Sequence, residues 1–394
     1  MNPRLLLDSG CSSTDHRSLS RTHLFNPAWV RVCFLAALVA WGGSGYAFAR
    51  QGDPAPLRER LSRVGADVYT RPERIPAAIT ELKAILGTNP ESSDAHMLLG
   101  IAYRTVGSPE MIGEAKAELV QAVELNGANL PARYVLASLY LELGRPAKAR
   151  EELEASIAQA PGRPQLLALL AEAERQSTNP TRAVELARAA LRPDATFAQA
   201  RYYLALALFD LGQRDEAIAE LEQVVGAGPP LVDPYVSLGS AYLDANRPDP
   251  ALSVLGVASK IDPARADIHI LLARGYRLKN LTAKAAQELL LAAPQTSNAA
   301  SSGYTQQHVD FDLALETGLV RLQQGRLPAA AAALKQALDM DPDHGPANRA
   351  MAQLSIRQGA YAQAAGYAAR AEKAGTPLSE ADRTRLAAKP PVAK

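Results

Sequence analysis

The sequence predicts an all-α solenoid built from about nine helical hairpins, and three observations predict it. A 34-residue block recurs nine times, the clearest copy starting at Val232. Within that block, two apolar stripes at helical spacing flank a short turn. Alanine recurs at one fixed position in all nine copies, as Ala78, Ala115, Ala149, Ala183, Ala217, Ala251, Ala285, Ala330 and Ala364. Fixed-period matches of this kind mark repeat architectures in which each unit packs on its neighbours.

With Val232 as position 1, that alanine is position 20. Position 8 (Gly239) and position 20 are small, so the two helices of a hairpin can approach closely. Leucine at position 24 (Leu82, Leu119, Leu153, Leu221, Leu255, Leu289, Leu334) fills the space between them. Position 11 is tyrosine in five copies: Tyr69, Tyr103, Tyr140, Tyr242 and Tyr276. The turn holds Gly107, Gly144, Gly212, Gly325 and Gly359, or Asn246 and Asn280. These residues tolerate the left-handed conformation that ends a helix. Proline at position 32 (Pro90, Pro161, Pro229, Pro263, Pro342) stops the second helix. The copies at Pro164 and Phe311 are the weakest, with Glu174 and Arg321 in place of the tyrosine.

This pattern resembles the tetratricopeptide repeat family over about residues 59–377. The resemblance implies a right-handed superhelix with a concave inner face and a protein or peptide partner. It departs at position 4, where the family has a large aromatic. Here that position holds Ser62, His96, Arg133, Leu167, Arg201, Tyr235, His269, Ala314 and Asn348.

Ahead of the array, Val32–Ala49 has no charged residue. Its strongly apolar part, Val32–Trp41, is short for a spanning helix, which needs about 20 residues. Ala47-Phe48-Ala49 fits signal peptidase, with the cut before Arg50. Two readings of residues 1–49 stand: a secretory signal peptide, and an uncleaved membrane anchor. A start at Leu24 or Val30 would leave a signal of ordinary length. Residues 50–58 read as a linker.

Inside the array, three extra residues near Ser108–Gly113 suggest a longer turn. About eleven more fall within 294–310, a Ser/Gln/Asn-rich stretch expected to form a surface loop and a hinge between 59–293 and 311–377. Leu378–Lys389 reads as a polar capping helix, with Ser379 and Asp382 at capping-box spacing. Residues 390–394 form the tail.

Charge and motifs narrow the function. Outside residues 1–49 the chain has 38 basic and 39 acidic residues. No basic stripe with interleaved aromatics stands out, so nucleic acid is not the expected partner. Both cysteines, Cys11 and Cys33, precede the array, whose stability must come from helix packing. No HExxH, CxxC or phosphate-binding glycine loop occurs, so no cofactor, metal or catalytic site is expected.

The resemblance puts positions 2, 5, 9 and 12 of the first helices on the concave face. The Lys/Asn clamp that some members use for C-terminal carboxylates is missing. On this register Tyr134, Tyr202, Leu206, Phe209, Leu243, Leu315, Leu319 and Leu322 project inward, bordered by Tyr203, with Arg274 and Arg277 as a basic spot beyond. This set is the candidate partner-binding groove. The expected function is an exported or envelope-associated scaffold. The alternative is an accessory subunit of a secretion or polysaccharide-export assembly, anchored at the membrane.

Overall fold

The computed structural model describes residues 55–228, 231–293 and 303–388. Residues 1–54, which hold the expected signal or anchor, lie outside the described residues, as do 294–302 and the tail. Among the described residues there are 19 α-helices, one short 3-10 helix and no strand. None of these helices is long and apolar enough to cross a membrane.

Eighteen helices pair into the nine expected hairpins. They are α1 (Ala55–Thr70) with α2 (Ile75–Thr88), α3 (Ser93–Val106) with α4 (Pro109–Leu125), and α5 (Leu130–Glu142) with α6 (Pro146–Gln159). Next come α7 (Pro164–Gln176) with α8 (Pro180–Leu191), α9 (Ala198–Asp210) with α10 (Arg214–Gly226), and α11 (Val232–Asp244) with α12 (Pro248–Ile261). The last three are α13 (Ala266–Leu278) with α14 (Thr282–Ala292), α15 (Gly303–Gln323) with α16 (Leu327–Met340), and α17 (Gly345–Arg357) with α18 (Tyr361–Lys373). Helix α19 (Glu380–Ala387) ends the series. The chain divides into two compact units at Leu238/Gly239, within α11. They are called here the N-terminal and C-terminal units.

The hairpin core is the one the repeat register predicts. The nine position-20 alanines are at most 4% exposed. At position 8, a Cβ on Gly100 would lie 2.7 Å from Leu119 Cγ, and one on Gly318 2.6 Å from Leu334 Cγ. Gly239 is as tightly covered by Leu255. In these three hairpins the leucine at position 24 thus lies on the backbone of the first helix, and no side chain fits between them; in the other six, position 8 is alanine.

Seven of the nine turns close by a repeated bond. The seven turn residues named above all have positive φ, from 55° at Asn246 to 78° at Gly107. In seven hairpins the amide at position 16 bonds back to the carbonyl at position 11, as in Arg145 N to Tyr140 O at 2.8 Å and Gln213 N to Leu208 O at 2.9 Å. This is the Schellman closure of a helix end. The Pro164 hairpin achieves it with Thr178 at φ 63°, a β-branched residue in a region that disfavours it. Its Glu174, in the tyrosine position, is 4% exposed and accepts from Asn179 Nδ2 at 3.1 Å, with Arg182 Nε 3.5 Å away.

Polar contacts replace the missing aromatic at position 4. Arg133 donates through Nε to Gly127 O at 2.8 Å and pairs with Glu152. Arg201 bonds to Ala195 O and pairs with Glu220 at 2.5 Å. Asn348 Nδ2 reaches Pro342 O at 2.9 Å. In each case the carbonyl is six residues back, in the connection from the preceding hairpin. The position-4 side chain therefore fastens a hairpin to the connection that leads into it.

The described parts of the insertions are helical, against expectation. The three residues near Ser108–Gly113 lengthen α4 to 17 residues, while Gly107 and Ser108 alone make the turn. Ser108 caps α4, its Oγ accepting from Met111 N at 3.3 Å. Of the expected loop 294–310, residues 303–310 are the first two turns of α15. The core continues across this region, because Val320 of α15 packs with Ala273, Ala285 and Leu289 of the preceding hairpin. The final helix runs from Glu380 to Ala387, two residues inside each expected end, with Ser379 Oγ accepting from Asp382 N at 3.2 Å.

Candidate functional site

The first helices of consecutive hairpins lie side by side within each unit, and positions 5, 9 and 12 meet at their seams. The geometry at these seams decides which candidate side chains face solvent. Most do not. Tyr134, Tyr202, Tyr203, Leu206, Phe209, Leu243, Leu315 and Leu322 are between 2% and 9% exposed. Arg274, Arg277 and Leu319 are half-buried. An open aromatic strip, expected from the register, is therefore not what the structure presents.

The physical reason is that the tyrosines close the N-terminal face on itself. Gln199 Nε2 on α9 donates to Tyr134 Oη on α5 at 3.0 Å and to Tyr203 Oη at 3.4 Å. Tyr134 and Gln199 are two hairpins apart. The first helix between them, α7, has only Ala168 at the corresponding position, which leaves the space that a larger side chain would fill. Tyr202 Oη shares a hydrogen bond with Ser237 Oγ at 3.2 Å, and its ring lies 5.9 Å from that of Tyr203. Burial, and next the Asp233 carboxylate, push the Tyr202 phenol well above its usual range. The buried hydroxyls thus stay neutral and hydrogen-bonded, as low-dielectric surroundings require.

Arginine–carboxylate pairs fasten the same seams. In the N-terminal unit Arg104 donates to Ser138 Oγ at 2.8 Å and pairs with Glu142. Arg175 makes a two-pronged contact with Glu172, both distances 2.8 Å, and reaches Asp210 at 3.1 Å. Burial alone would lower the Arg175 titration, but Glu172 and Asp210 outweigh it and raise it. In the C-terminal unit Arg274 pairs with Asp244 at 2.8 Å, and Arg277 with Glu316 at 2.7 Å. The side chains of Arg274 and Arg277 are 32% and 20% exposed, against 6% for Arg175.

Asp312 stands beside these C-terminal pairs and is exposed. The protein around it removes hydration, and Glu316 adds a like charge, so its carboxyl is pushed up to about 6. His308 and Arg274 oppose that rise, and Asp267 adds to it. This face offers paired charges, a titrating carboxyl and the half-buried Leu319. Among the described residues no group of three potential metal ligands occurs.

The acidic partners Glu142, Glu172, Asp210, Asp244 and Glu316 were not among the residues singled out in the sequence. A signal for two of them exists. An acid at position 13 recurs one repeat beyond an arginine at position 12, as Arg104–Glu142 and Arg175–Asp210.

Comparisons with known proteins agree with this architecture. Family profiles described as Tetratricopeptide repeat match residues 108–173, 175–239 and 315–379. No curated protein matches the chain. Among solved structures, the APC/C hetero-tetramer Cut9–Hcn1 is similar at a TM-score of 0.64 and 15% identity, over 83% of this chain. The match spans 62% of that chain's length. A tetratricopeptide repeat protein from Parabacteroides merdae is similar at a TM-score of 0.49 and 18% identity, over 68% of this chain and 99% of its own. Pseudomonas aeruginosa PilF is similar at 0.47 and 18%, over 57% and 97%. At these identities the likeness concerns the fold. Together with the nine hairpins and the repeat register, the profile matches show that the chain belongs to the tetratricopeptide repeat family, whose fold serves as a scaffold for protein–protein interaction.

Proposed function

We propose that the chain is an exported, envelope-associated scaffold that holds a protein or peptide partner on the first-helix face of its C-terminal unit. One observation supports the site. Arg274, Arg277 and Leu319 keep part of their surface in solvent, while the aromatic candidates of the N-terminal unit are sealed. Ion pairs that are already formed supply oriented donors and acceptors without a net charge, so they favour polar complementarity over long-range attraction. Export rests on Val32–Ala49, whose apolar run is short and ends in Ala47-Phe48-Ala49.

The test has two parts. N-terminal sequencing of the protein from its native envelope fraction should begin at Arg50. An intact N-terminus in the membrane fraction would favour the anchored accessory subunit of a secretion or polysaccharide-export assembly. Partners captured from the same fraction by the full chain should be lost, by about tenfold or more, when Arg277→Ala and Leu319→Ala are combined. Undiminished capture by that variant would move the binding site elsewhere.

A further inference from the structure

Two of the position-4 residues are histidines, and their surroundings repeat almost atom for atom. His96 Nδ1 lies 2.5 Å from Glu118 Oε2, and its Nε2 lies 2.9 Å from Pro90 O. His269 Nδ1 lies 2.7 Å from Glu288 Oε2, and its Nε2 lies 3.0 Å from Pro263 O. Both rings are therefore held between two acceptors, neither of which can donate. A neutral imidazole has one N–H and one lone pair, so it satisfies only one of them and turns its lone pair toward the other oxygen. Only the imidazolium donates to both.

The arginine hairpins show what this position does. Arg133 and Arg201 contact the same two partners, a glutamate at position 23 and the carbonyl six residues back. A permanent cation thus fills the same slot in two hairpins, and a titratable one fills it in two others. The rings are enclosed: the His96 side chain is 15% exposed and that of His269 6%. The charged group facing His96 is Glu118 of α4, with Lys83 of α2 acting on the same carboxylate. The one facing His269 is Glu288 of α14.

We infer that His96 and His269 are proton-controlled latches, which fasten the second and seventh hairpins to the connections before them when protonated and release those joints as pH rises. The direction follows from the ring's partners. The hydrogen bond to Glu118 raises His96 above its ordinary range, burial opposes it, and Pro90 O adds to it. A raised histidine contributes stability in full below its unfolded value of about 6.5, and loses it as pH climbs through the folded value. For His96 the window is therefore neutral to mildly alkaline. The Arg133 and Arg201 joints keep their cations in that window and do not respond there.

The experiment compares the full-length wild type with H96R/H269R and H96Q/H269Q, by thermal unfolding and amide hydrogen exchange from pH 5.5 to 8.5. Arginine in these slots should hold the joints at every pH. Relative to that variant, wild type should fall in stability as pH rises, and exchange at the Glu91–Ser93 and Ala264–Arg265 joints should quicken, at the Glu91–Ser93 joint by about tenfold for each pH unit by which the His96 midpoint exceeds its ordinary value. The glutamine variant should be weaker than wild type at pH 5.5 and match it at pH 8.5. Proton NMR of wild type, with H96Q as the assignment control, should show His96 titrating above the ordinary range. Parallel pH profiles for wild type and H96R/H269R would overturn the latch, and so would a His96 midpoint at or below 6.5. The NMR titration of wild type decides the matter even if a double variant does not fold.

Discussion

The two units use the same repeat and finish their first-helix seams in opposite ways. In the N-terminal unit the seam is sealed by Tyr134, Gln199, Tyr202 and Tyr203, with Arg175 enclosed between Glu172 and Asp210. In the C-terminal unit the equivalent seam is held by Arg274–Asp244 and Arg277–Glu316, with part of each arginine in water and Asp312 exposed. A repeat register fixes where side chains emanate, but the size of the neighbour's side chain decides whether they end as core or as surface. An alanine at position 5 in α7 allows closure, and arginines at positions 9 and 12 in α13 keep the face polar.

The largest effect that can break this comparison is at Tyr202. If the ring is core, Tyr202→Ala should destabilise the protein by about 3–5 kcal/mol, the range for truncating a buried aromatic. Thermal unfolding of the full chain would report it. A variant that melts like wild type but loses its partner would return Tyr202 to the binding surface.

The two arginine sites sharpen the contrast. Arg175→Met leaves the buried Glu172 and the half-buried Asp210 without their cation and should cost about 3–5 kcal/mol. Arg274→Met removes a partly solvated pair and should cost about 1 kcal/mol or less. Denaturant unfolding of both variants tests the difference, and equal losses would mean that the two faces are equally enclosed.

Asp312 gives the smallest effect and a pH signature. Its carboxyl is raised to about 6, so the folded state favours the protonated form. The associated stability is present at low pH and is lost as pH rises through that value. Asp312→Asn should therefore melt at or slightly above wild type at pH 7.5, and the gain should vanish near pH 4. A variant that is less stable than wild type at pH 7.5 would show that the ionised carboxylate is needed.

The hairpins were legible because their determinants are local. A glycine or asparagine at the turn, an alanine at position 20 and a leucine at position 24 all act within one 34-residue block. Even the weak Pro164 copy folds as predicted, because Glu174 finds Asn179 five residues away. The site was harder to read because its determinants are 35 to 65 residues apart. Arg175 needs Asp210, and Tyr134 needs Gln199. The register identified which residues point to the seam. Whether a seam closes depends on Ala168, which has no mark of its own in the sequence.

The lengthened helices define which insertions such an array can absorb. The bond from position 16 to position 11 closes seven of the nine turns, and the turn before α4, closed by Gly107 N to Tyr103 O instead, does not bulge around its added residues either. They enter at helix starts instead. Helix α4 has 17 residues where the other second helices have 11 to 14. Helix α15 has 21 where most other first helices have 13 or 14. The gains approximate one and two helical turns of 3.6 residues, so the apolar face returns in phase and the next hairpin docks as before. A segment that adds whole turns to a helix preserves the packing downstream, whereas one that adds half a turn would rotate the stripe away from its neighbour.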